Sequence, residues 1–126
     1  DELTFHDIDL MGLIEQYGAP LKFTYLPKIS DNINRAKYWF AKSIEKHEYK
    51  GSYSYCYCTK SSHFSFVMEE VLKNNAHLET SSGYDIDLIR HLHNEGKITN
   101  KIRVICNGYK PKEYVEKRHA FCASIN

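Results

Sequence analysis

Tyr53-Ser54-Tyr55-Cys56-Tyr57-Cys58-Thr59-Lys60-Ser61-Ser62-His63 runs straight into Phe64, Val67, Met68, Val71 and Leu72. Residues 53–59 alternate aromatic with small or polar side chains, the period-two signature of a strand. From Phe64 onward the apolar residues fall at i, i+3, i+4, i+7 and i+8, one face of an amphipathic helix. Either Ser61 or Ser62 could cap it. A strand that feeds an amphipathic helix through a short polar loop is the first half of a parallel βαβ unit.

The same cycle appears on both sides of this stretch. Residues 21–26 alternate and stop at Pro27, which predicts a short strand. Ser30 then reads as an N-cap, with Ile33, Ala36, Phe40 and Ile44 at helical spacing until Gly51. Downstream, 76–80 is a strand candidate, and Ser82 with Asp85 forms a capping box. Ile86, Ile89 and Leu92 mark the inner face of a helix that Gly96 ends. Residues 101–106 predict a further strand, Asn107-Gly108 a turn, and Pro111 the start of a helix to about Lys117. Strands alternating with helices at this spacing imply right-handed crossovers and an α/β fold with a parallel sheet. A closed (β/α)8 barrel takes about 200–250 residues, so 126 residues make either a small open sheet or part of a barrel.

Composition excludes several classes. Apolar residues are 42% and charged residues 26% of the chain, ordinary globular usage. Seventeen basic against sixteen acidic side chains leave a net charge of +1, which argues against gripping nucleic acid through phosphates. No apolar run is long enough to span a membrane, and no signal peptide is visible at the N-terminus. Cys56, Cys58, Cys106 and Cys122 are too few for a secreted disulfide framework, so reduced thiols and a cytoplasmic setting are expected.

Lys60 is the first candidate for chemistry. It stands where a strand ends and a polar loop begins, the end of a parallel strand where α/β folds place ligands. Alternation puts Ser54, Cys56, Cys58 and Lys60 on one face, a run of small side chains ending in an amine. A lysine stripped of water at such a mouth becomes a nucleophile for carbonyl carbon. Position alone fits a solvated strand-end lysine better. Glu79 lies at the end of the next strand, toward the same mouth, and serves as readily as a helix cap or a partner for Lys73. Cys56, Cys58 and His63 could suggest zinc, but cysteines two apart on a strand are about 6.6 Å apart along it. Small buried hydrophobes are the preferred reading there, and no metal is expected. His77, His91 and His93 are assigned to the surface. No Gly-x-Gly occurs, so these residues hold no glycine cradle for phosphate.

In order, four motifs follow a known pattern. Tyr17-Gly18-Ala19-Pro20-Leu21 with Phe23-Thr24-Tyr25 resembles the Y-G-[TS]-P-L-x-[VF]-x-[YF] opening of the alanine-racemase-like, fold-type III decarboxylases. Tyr57-Cys58-Thr59-Lys60 is similar to their Y-A-x-K. Leu78-Glu79-Thr80-Ser81-Ser82-Gly83 with Asp85 resembles their [FL]-[DE]-x-[AS]-S-x-x-[ED]. Ile105-Cys106-Asn107-Gly108-Tyr109-Lys110 resembles the I-x-N-G-x-K of arginine decarboxylases. The match covers about residues 10–117 and is most like the bacterial arginine decarboxylases. After Lys117 the resemblance stops, as a truncated or frameshifted reading frame or a divergent end would explain.

The resemblance implies the N-terminal part of a pyridoxal-phosphate-binding (β/α)8 (TIM) barrel, incomplete in this chain. Residues 1–27 would contribute a strand to a β-rich domain, 28–117 the first helix and first three βα units, and 118–126 a divergent tail. Lys60 would carry pyridoxal 5'-phosphate as a Schiff base, and Glu79 would lie beside the cofactor. The implied substrate is a small-molecule amino acid, arginine giving agmatine for polyamine biosynthesis, and the implied assembly of the full-length protein is a homodimer. Diaminopimelate as substrate, and a barrel that binds the cofactor without decarboxylating, are the alternatives.

Overall fold

The structure, a computed structural model, describes residues 3–124. A two-residue turn at His6 and Asp7, both at positive φ, joins β1 (Thr4–Phe5) to β2 (Ile8–Asp9) as an antiparallel hairpin. Asp9 caps α1 (Leu10–Tyr17), accepting from the Met11 and Gly12 amides at 3.0 and 3.1 Å. Neither hairpin nor helix is predicted above, because two-residue strands carry no measurable alternation.

The segment 21–25 is not a strand, which corrects the expectation for 21–26. Alternation alone cannot make a ladder, and no strand among the described residues pairs with it. Aromatic packing fixes it instead: Tyr25 stacks on His6 at 4.4 Å, and Phe5 meets Phe23 at 5.7 Å. The next helix, α2 (Leu26–Lys46), starts earlier than a Ser30 cap implies and ends before Gly51. Pro27 sits in its first turn, where the missing N–H is no loss. Ser30 is spent on Glu70 and Asn74 instead, donating to the first and accepting from the second.

Three parallel strands follow, β3 (Cys56–Cys58), β4 (His77–Thr80) and β5 (Val104–Cys106), in that spatial order. Each lies inside its predicted stretch and each is followed by a helix. These are α3 (Ser65–Lys73), α4 (Gly83–Asn94) and α5 (Lys112–Ser124). Ser61 and Ser62 do not cap α3; residues 59–61 form a 3-10 turn, and Phe64 precedes the first helical residue.

All three helices pack on one face of the sheet, as right-handed crossovers require. Val67, Met68 and Val71 of α3 and Ile86, Ile89 and Leu92 of α4 meet Leu78 of β4 there. Tyr114 of α5 is 1% exposed, its hydroxyl 2.7 Å from that of Thr80, and burial foremost pushes it up to about 12. Helix α5 also runs past Lys117, since Phe121 is buried and meets His93 edge-on at 5.7 Å. Residues 118–124 are therefore part of the packed fold. The outermost two residues of 1–27 and of 118–126 lie outside the described residues. No helix among the described residues is long and apolar enough to cross a membrane.

The capping box of α4 forms as expected. The Asp85 carboxylate accepts from the Ser81 and Ser82 amides at 2.8 and 2.7 Å. Burial, the largest single influence, would raise its pKa, but the Ser81 and Ser82 amides together with the Thr59 and Ser82 hydroxyls outweigh it and hold the carboxyl below the ordinary value of 3.8. Asp85→Ala strands both amides and is expected to cost about 2 kcal/mol in urea denaturation at neutral pH. A carboxyl depressed in the folded state stabilises above its ordinary pKa and loses that effect as pH falls through the folded value. Wild-type and Asp85→Ala stabilities should therefore converge in acid.

Candidate functional site at the carboxyl ends of the strands

The carboxyl ends of β3, β4 and β5 bring three of the sequence motifs together. Strand register sets Cys58 opposite Glu79, and Glu79 opposite Ile105, in one row on the face away from the helices. That face also carries Cys56 and His77, and nothing among the described residues covers it; Ile105 is 43% exposed.

Glu79 is oriented from both sides. Asn107 donates its side-chain amide to Glu79 Oε1 at 3.0 Å, and Cys58 Sγ lies 3.8 Å from the same oxygen. The Asn107-Gly108 turn that aims this amide uses Gly108 at φ 75°, a conformation costly for other residues. Lys110 closes the corner, donating to the Ser81 carbonyl at 3.0 Å and to that of Asn107, with its ammonium over the Tyr114 ring. Within N-G-x-K, then, asparagine aims a carboxylate and lysine ties two strand exits. Lys110→Met is expected to cost about 2 kcal/mol of stability through those charged hydrogen bonds, read by thermal melting.

Lys60 occupies the 3-10 turn directly after β3 and is exposed. The strand ends at Cys58, and the turn breaks the period-two alternation. Lys60 therefore does not continue the face of Cys56 and Cys58, and it is not stripped of water within this chain. It lines an open cleft of ≈ 440 Å³ with Lys22, Thr24, Tyr57, Ser61, Ser62 and His63 among its walls. Glu79 is not among those walls, and no ion pair or hydrogen bond joins it to Lys60 among the described residues. What the structure brings together is backbone: Thr59 Oγ1 donates to the Glu79 carbonyl at 3.0 Å, so the two strand exits are adjacent.

The cysteines divide as small side chains do. All four are free, and no group of histidine, cysteine and acidic residues suited to a metal occurs among the described residues. Burial first, and then the Glu79 carboxylate, push the Cys56 thiol up, so it stays protonated at neutral pH. His91 is an exposed partner of Glu95 at 2.9 Å. His77 corrects the surface assignment: half-buried, it accepts the Arg103 amide at Nδ1 over 3.1 Å, tying β5 to β4.

Comparison with known proteins gives the chain its relatives. It is 31% identical to the biosynthetic arginine decarboxylase of Tolumonas auensis over 129 aligned positions, covering 94% of this chain and 19% of that protein. Against biosynthetic arginine decarboxylase 1 of Synechocystis sp. it is 28% identical, covering 86% of this chain and 18% of the relative. The Nostoc sp. enzyme of the same name is 29% identical, with 86% and 16% covered. No family model matches, and no solved structure matches at a significant level. The chain thus spans under a fifth of the curated relatives it matches, and it is homologous, at low identity, to that part of biosynthetic arginine decarboxylases.

Proposed function

We propose that this chain is the cofactor-anchoring portion of a pyridoxal-phosphate-dependent decarboxylase that converts arginine to agmatine. The carrying observation is Lys60: an exposed primary amine at the carboxyl end of a parallel strand, on a cleft of ≈ 440 Å³. Lys22 and the hydroxyls of Thr24, Ser61 and Ser62 share that cleft, a donor set suited to a small anionic aldehyde. The residues present therefore fit the group. The relatives described above, all biosynthetic arginine decarboxylases, favour arginine over diaminopimelate.

When bound, pyridoxal phosphate supplies the electron sink that makes loss of carbon dioxide from an α-amino acid feasible. Lys60 Nζ provides the attaching amine and afterwards returns a proton to the product α-carbon. Glu79, held by Asn107 at the end of β4 and outside the Lys60 cleft, would face the cofactor from the barrel interior. The bare sheet face is the interior of a (β/α)8 barrel, completed by further strands, a β-rich domain and a second, identical subunit. A cytoplasmic setting suits the four free cysteines.

The test is covalent trapping. The protein carrying this sequence is mixed with pyridoxal phosphate, reduced with borohydride, digested and mapped. The pyridoxyl group is expected on Lys60, together with release of carbon dioxide and agmatine from arginine before reduction. A label on Lys28 or Lys73 instead would sink the assignment.

A further inference from the structure

We propose that His63 is a positioning residue for Lys60, locking the turn that carries the amine; this rests on the proposed role of Lys60. His63 Nδ1 lies 3.0 Å from the Thr59 carbonyl, the one immediately before Lys60. A carbonyl only accepts, so Nδ1 carries the proton and the ring donates. Thr59 itself is fully buried, and its hydroxyl donates to the Glu79 carbonyl at 3.0 Å. On the far side, the Tyr57 hydroxyl donates to the Ser62 carbonyl at 3.0 Å.

Three hydrogen bonds thus hold the chain on either side of one exposed lysine, at Thr59 before it and at Ser62 two residues after it. The Lys60 side chain makes no hydrogen bond among the described residues, and it lines the same cleft as His63. Fixing the backbone around a reacting amine confines its conformations before any aldehyde arrives, which raises the fraction of productive encounters. The sequence offers the pattern directly, a histidine four residues after Thr59 on the polar loop.

Two readouts test the lock. The first is the rate at which Lys60 captures pyridoxal phosphate: the amine adds to the aldehyde carbon, water leaves, and borohydride delivers hydride to the resulting C=N bond. His63→Ala is expected to slow capture at least tenfold at an unchanged melting midpoint. His63→Asn, whose amide N–H falls near the Nδ1 position, should recover most of the rate, and His63→Gln should not. The second is amide hydrogen exchange across residues 59–63 without cofactor, expected to accelerate in His63→Ala and return toward wild type in His63→Asn. Capture and exchange at wild-type rates in His63→Ala overturn the proposal. If His63→Ala fails to fold, equal behaviour of the asparagine and glutamine variants overturns it instead. Absence of any adduct at Lys60 in the unsubstituted protein is failure of the functional reading, and the exchange experiment still decides the lock.

Discussion

Lys60→Ala is expected to lower arginine decarboxylation by several orders of magnitude while leaving the fold intact. The side chain is exposed, the turn is held by Thr59, His63 and Tyr57 rather than by Lys60, and no ion pair depends on its charge among the described residues. Removing the amine therefore removes chemistry and not structure. Lys60→Arg should be equally inactive, although it preserves the positive charge: a guanidinium does not exchange a carbonyl group with substrate amines. Turnover, trapped label and melting midpoint measured on the same three proteins separate the possibilities. An arginine variant that retains a tenth or more of wild-type turnover would show that Lys60 acts through charge alone, and the covalent role would be abandoned.

The 126-residue chain alone is expected to self-associate and to show no arginine decarboxylase activity. Among the described residues its three-stranded sheet has two unpaired edges, β3 and β5, and one face, with Ile105 43% exposed on it, that no element covers. Exposed strand edges are templates for pairing with another copy. Large apolar side chains add to this: Trp39 is 62% exposed and Phe64 57%, and Tyr38, Phe40 and Tyr49 are also exposed on and beyond α2. Such a surface binds other copies or larger partners. Sedimentation at several concentrations should show mass growing with concentration, accompanied by strong binding of a hydrophobic dye. A stable monomer that turns over arginine would contradict the reading of the bare face as a barrel interior.

Residue order by itself determined the repeating part of the molecule. Stripes such as Val67, Met68 and Val71, or Ile86, Ile89 and Leu92, set which helix face is buried whatever else the chain does. The capping box at Ser82 and Asp85 and the left-handed turn at Gly108 are equally local, so spacing suffices to find them. Strand existence was legible at 53–59, 76–80 and 101–106, but each strand proved shorter, because a strand extends only as far as its neighbour's hydrogen bonds. For the same reason 21–25 alternates without being a strand. At the candidate site, Lys60 and Glu79 were visible as residues at strand ends, and Asn107 and Lys110 as a turn motif. Tertiary structure alone decided where their side chains went. The 3-10 turn at 59–61 abolishes the alternation that would aim Lys60 at Glu79, and contacts between separate strand exits aim Glu79 through Asn107. Period-two logic holds only inside a paired strand; beyond its last ladder bond, direction is set by whichever distant groups satisfy the loop's hydrogen bonds.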